Sequence, residues 1–134
     1  MRDFPVRETI LVVNDESHVR SDLCRILRRE GYVAIPAGRG LEAQWCVERH
    51  GEQLDLLVAG LAGPEADAYH LGIPIGALFP RTPALFVSHA AREHHLRRGL
   101  LDPATPFLRM PFTPSALTRV VRRLLDRRSS RPLM

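Results

Sequence analysis

Three short apolar runs with no polar alternation constrain this chain more than any other feature. They are Thr9–Val13 (TILVV), residues 55–59 (DLLVA) and residues 84–87 (ALFV). A strand wet on one face alternates apolar with polar side chains. A strand without alternation must be covered on both faces, the condition met in parallel sheets flanked by helices. Helical spacing fills the intervals. Val19, Leu23, Ile26 and Leu27 fall at i, i+4, i+7 and i+8 with Arg on the other side, and Gly31 closes the pattern. Ser17 or Asp15 is positioned to cap that helix. A short strand at 33–35 leads through the Gly38-Arg39-Gly40 turn into a helix at 41–50 that buries Ala43, Cys46 and Val47. After a loop at 60–64, a helix is expected within 66–79, shortened or kinked by Gly72, Pro74 and Gly76. A helix at 92–99, a strand at Phe107–Arg109 and a last helix complete the order. Thr113 caps this last helix, Pro114 opens it, and Leu117, Val120, Val121, Leu124 and Leu125 form its stripe. Strand and helix thus alternate five times, which predicts an α/β fold with a parallel sheet and right-handed crossovers. Ligands in such folds collect at the C-terminal strand ends, here Asn14-Asp15, Ala59-Gly60, Ser88 and Arg109-Met110.

Composition narrows the function classes. A chain of 134 residues with 45% hydrophobic and 25% charged residues is one domain able to build a core unaided. No apolar run approaches the ~20 residues of a membrane span, and the N-terminus lacks a cleavable signal pattern, so a cytoplasmic domain without membrane contact is expected. The 19 basic residues, all Arg, face 15 acidic ones for a net charge of +4. Six of these Arg lie between Arg119 and Arg131 against Asp126 alone. That stretch carries no aromatic residue and sits on one helical segment, which favours a solvated helix face over nucleic-acid binding. Cys24 and Cys46 show no CxxC spacing and are expected as reduced thiols on opposite sheet faces. The adjacent His94 and His95 diverge by about 100° on a helix, a poor metal pair, so no metal site is inferred.

The segments ILVVNDE, GYVAIPAGRGLEA, DLLVAGLAGPEA, ALFVSHA, GLLDPATPFLRMPFTPSAL and VVRRLLD together resemble the receiver domain of bacterial response regulators, the CheY-like family. The resemblance spans residues 9–127, leaving 1–8 and 128–134 as flexible tails; with Met1 and short tails, a single-domain protein is expected. The stretch LLDPATPFLRMPFTP is especially similar to receivers of hybrid histidine kinases. The resemblance implies a doubly wound (βα)5 flavodoxin-like three-layer sandwich, with a five-stranded parallel sheet in the order 2-1-3-4-5. It also implies a place in a two-component phosphorelay, where an Asp accepts a phosphoryl group with Mg²⁺.

Transferred position by position, the resemblance breaks at the chemistry. The family's acidic pair reads Asn14-Asp15, the phospho-accepting Asp reads Gly60, the Ser/Thr position is Ser88, and the Lys before proline reads Met110-Pro111. Ser88 and Met110 stand 22 positions apart, the family's separation, which supports the register. Phe107 takes the switch-aromatic position. An acyl phosphate needs a carboxylate nucleophile, which glycine cannot supply. Mg²⁺ takes hard oxygen ligands, and Asp15 is the one family carboxylate left, so weak or lost Mg²⁺ binding and no other cofactor are expected. The implied function is a non-enzymatic pseudo-receiver working through protein contacts, with a histidine kinase or another signalling protein as partner, or as a weak homodimer. Arg119, Arg122 and Arg123, with Trp45, are the interface candidates. Asn14 and Asp15 then serve helix capping, Ser88 satisfies local backbone, Phe107 is core, and Met110 fills the volume of the absent Lys. Two alternatives stand beside this: a small-molecule or anion binder using the vacated pocket, and a working phospho-receiver in a different frame.

Overall fold

The protein is described from a computed structural model covering residues 7–38, 45, 48–49, 54–60, 82–99, 101 and 103–129. Five strands, β1 (Thr9–Val13), β2 (Val33–Ala37), β3 (Leu56–Gly60), β4 (Ala84–Ser88) and β5 (Phe107–Arg109), form one sheet in the order β2-β1-β3-β4-β5. Every pairing is parallel. Three described helices accompany it: α1 (Ser17–Arg29), α2 (Arg92–Arg97) and α3 (Pro114–Ser129). This is the doubly wound α/β sheet and strand order expected. The helices expected at 41–50 and 66–79, the loop at 61–64, Cys46, and the tails at 1–6 and 130–134 lie outside the described residues, apart from Trp45, Glu48 and Arg49, which are helical.

The central strands owe their unbroken apolar runs to burial on two faces. Ile10 and Val12 of β1, Leu56 and Val58 of β3, and Leu85 and Val87 of β4 join one core with Leu23, Leu27, Leu117, Val121 and Leu125 of α1 and α3. Their neighbours Leu11, Val13, Leu57 and Ala59 belong to a second core on the other face with Ala37 and Leu54. The period-2 alternation of side chains therefore splits each run between two apolar layers. Pro36 is exposed on β2 and lacks an N–H, which an edge strand tolerates.

Helix termini follow the chain's chemistry with one exception. At the end of α1, Gly31 adopts φ +95°, its N–H donates to the Arg28 carbonyl and the Tyr32 N–H donates to the Leu27 carbonyl. That pair of bonds is a Schellman closure, and the left-handed φ explains the glycine. Thr113 caps α3 as expected, its Oγ1 accepting from the Ala116 N–H at 3.1 Å. Neither Asp15 nor Ser17 caps α1. Its N-cap is Glu16, without a side-chain bond, and Asn14 acts instead, its Oδ1 accepting from the Glu16 N–H at 2.9 Å. Element ends shift by one or two residues: β2 runs to Ala37, β3 and β4 close on Gly60 and Ser88, and α2 stops at Arg97 before Gly99 at φ +72°. Glu8, expected in a loose tail, is bound at both its backbone and its side chain, and α3 continues to Ser129.

Candidate functional site

Parallel strands deliver their C-terminal ends to one edge, and β1, β3, β4 and β5 bring Asn14, Gly60, Ser88 and Met110 there. Asn14 is 2% exposed although polar, and its groups are committed. Its N–H donates to the Ala37 carbonyl, its carbonyl accepts from Arg20, and its Oδ1 holds the Glu16 N–H. Its amide nitrogen lies across the end of β3. A Cβ at position 60 would overlap Asn14 Nδ2 and stand 2.8 Å from its Cγ, well inside van der Waals contact. A side chain at position 60 would therefore require the Asn14 side chain to shift. Asp15, by contrast, is exposed.

Ser88 is fully buried. Its Oγ accepts from the Ala90 N–H at 3.1 Å, as expected of a serine satisfying local backbone, and it also meets His95 Nε2 at 2.9 Å. Its carbonyl accepts from the Met110 N–H at 2.7 Å, which ties the ends of β4 and β5. Met110 is buried in the core shared with α1 and α3, and the peptide to Pro111 is cis. Phe107 is half-buried rather than fully in the core, its ring centroid 5.8 Å from that of His95.

Sequence reasoning missed His95. It weighed His95 as a metal ligand beside His94, and the rings do diverge, edge to face at an interplanar angle of 80°. In the structure His95 is the buried residue of α2, at 0% exposure, while Leu96 is only half-buried. A usable signal was present: REHHLR contains one apolar residue, so a helix seated on a sheet must turn another side chain inward. Burial holds the His95 imidazole below the usual histidine range, and the nearby charges of His94 and Arg98 push the same way.

The donor set fits Mg²⁺ poorly. One exposed carboxylate, Asp15, stands beside an asparagine oxygen already bonded to backbone, and among the described residues no group of three His, Cys, Asp or Glu is placed to hold a metal. Trp45 is 57% exposed under the Arg49 guanidinium, and Arg119 and Arg123 are exposed on α3. Arg122 departs from expectation: its guanidinium bonds both Glu8 oxygens, at 2.9 and 3.0 Å, the Tyr32 hydroxyl and Asp126. It is exposed like Arg119 and Arg123, and it also serves as a structural tie.

No family profile matches the sequence. Individual proteins do. The sensor kinase CckA of Brucella abortus is 31% identical over 93% of this chain, and the transcriptional regulatory protein CreB of Escherichia coli is 29% identical over 90%. The crystal structure of the receiver domain from the hybrid histidine kinase CckA superposes with a TM-score of 0.67 at 28% identity, covering 87% of this chain and 98% of that one. This chain belongs to the CheY-like receiver-domain family of response regulators. It spans 13% of the length of the sensor kinase and 52% of CreB. Within the receiver fold, the edge carrying Asn14, Gly60, Ser88 and Met110 is the C-terminal edge of the sheet, the end at which doubly wound folds place their ligands. No helix among the described residues is long and apolar enough to cross a membrane.

Proposed function

We propose that this receiver is a non-enzymatic signalling module that works through protein contacts without accepting a phosphoryl group at the end of β3. The observation that supports this most directly is the filling of the space beside Gly60 by the Asn14 side chain, where a nucleophile's Cβ would overlap Nδ2. Glycine offers no carboxylate for an acyl phosphate. Met110 offers a buried thioether where an ammonium would pair with phosphoryl oxygens, so charge-assisted hydrogen bonding is lost as well. With Asp15 as the one carboxylate left of the family's set, Mg²⁺ affinity is weak in this reading. The partner is a signalling protein such as a histidine kinase, or a second copy in a weak homodimer, and exposed Arg119 and Arg123 suit an acidic surface. Intact-mass measurement after incubation with acetyl phosphate and Mg²⁺ tests the reading. The expected spectrum shows no increment of about 80 Da, one phosphoryl group, since the nucleophile is absent. A labile adduct mapped to an aspartate would overturn it.

A further inference from the structure

We infer that His95 is a proton-operated latch: with a neutral imidazole it seats α2 against the ends of β4 and β5, and protonation unseats the helix. This goes beyond the phosphate-independent reading above and stands whether or not that reading holds. α2 is only six residues long, and its N-cap, Ala91, offers no side-chain bond. Its one buried side chain is His95, fastened to Ser88 Oγ at 2.9 Å and packed on Phe107. Arg92, half-buried, adds bonds to the Pro103 and Thr105 carbonyls. The fully buried part of this helix's seat on the sheet is therefore one imidazole.

That seat accommodates the neutral ring and not the charged one. An imidazolium carries two N–H donors. Ser88 Oγ can serve one of them, while already accepting from the Ala90 N–H, and Nδ1 has no partner among the described residues. Each described element around the ring is equally unhelpful to a cation. From α2 itself, His94 and Arg98 add positive charge, and the carboxylate of Glu93 is exposed to solvent. β4 and its exit contribute the neutral Ser88 and the exposed His89, and β5 contributes the Phe107 ring and the exposed Arg109, bonded to the His89 carbonyl. A charge buried without a counter-charge or a full set of hydrogen bonds is strongly disfavoured. Protonation is satisfied by moving the ring into water, and the helix moves with it. Ser88 Oγ then keeps the Ala90 N–H but loses the imidazole, and Phe107 loses its ring contact.

The sign follows from linkage. Free histidine protonates near 6.5, and the seated ring titrates below that. The unseated form therefore binds the extra proton first, so the seated form is fully favoured above pH 6.5 and loses ground as pH falls below it. One proton changes that equilibrium by at most about tenfold per pH unit.

Backbone amide NMR of the whole chain between pH 7.5 and 5.0, without phosphate donor or Mg²⁺, tests this. The expected result is one shared transition below pH 6.5 in Ser88, Ala90, Phe107 and the α2 amides. Exchange protection of α2 should fall by up to about tenfold per unit, while β1 and β3 signals stay in place. His95→Gln, which remains neutral and can still bond Ser88, removes the transition, and so does His95→Phe. His94→Gln keeps it and raises its midpoint. A transition that survives both His95 variants, a wild type that shows none, or a loss of β1 and β3 signals together with α2 would each overturn the latch.

Discussion

Asn14 and Gly60 share one volume, and their energetics should show it. Asn14 is buried and bonded through both backbone and side chain, so it cannot swing aside without losing the Oδ1 bond to the Glu16 N–H. Gly60→Ala in the native background is expected to cost about 1–3 kcal/mol, the range for overpacking a closed site. Asn14→Ala should cost about 1–3 kcal/mol by leaving the Glu16 N–H without its acceptor. In the Asn14→Ala background the amide nitrogen and Cγ that meet the new Cβ are gone, and the remaining contact with the Cβ of residue 14 is 3.4 Å. The second substitution should then cost less, giving a coupling of about 1–2 kcal/mol in a urea-denaturation cycle. Strictly additive costs would show that the two positions do not compete for space. Cys24 illustrates the opposite case on α1. It is a buried free thiol whose burial raises its pKa, and it is correspondingly unreactive.

The elements differ in how openly the sequence announces them, and the difference follows what holds each one. β1, β3 and β4 are legible because burial on two faces leaves no room for a polar residue. The ends of α1 and α3 are legible because Gly31 and Thr113 act within a few residues of themselves. Their contributions can be measured. Gly31→Ala forces a Cβ into φ +95° with open space around it, so backbone strain of about 1–2 kcal/mol is the expected loss. Thr113→Ala removes the Oγ1 acceptor for the Ala116 N–H and should cost about 0.5–2 kcal/mol. Urea midpoints of the two variants check both, and an unchanged midpoint for Gly31→Ala would mean that the helix closes without its glycine. Less legible are elements held by a partner distant in the chain. α2 is seated by a bond from His95 to a serine seven positions earlier, and its single apolar residue disguises which face points inward. The Asn14 side chain is set by the end of β3, which no local pattern at residue 14 reveals.

Across the whole molecule, the charge distribution separates a tie from a contact surface. Read locally, the Arg residues of α3 look equivalent. Folding distinguishes them, because Glu8, 114 residues before Arg122, arrives beside it and holds its guanidinium well above the usual arginine range. That cluster binds the start of β1, the Tyr32 hydroxyl and α3 together, so Arg122 is already occupied within its own chain. Arg119 and Arg123 remain exposed on the same helix, in a chain of net charge +4. A contact built on such residues is governed by screened electrostatics, which weaken when the Debye length contracts from about 10 Å at 0.1 M salt to about 3 Å at 1 M. Sedimentation of the wild type should therefore show association, with itself or with an acidic signalling partner, that is present at low salt and declines at high salt. Arg119→Glu with Arg123→Glu should abolish it at both, whereas Arg122→Ala should act chiefly on stability by freeing Glu8. A wild type that stays monomeric and partnerless at every salt concentration would remove this face from the proposal, and association insensitive to both salt and the double substitution would place the contact elsewhere on the receiver.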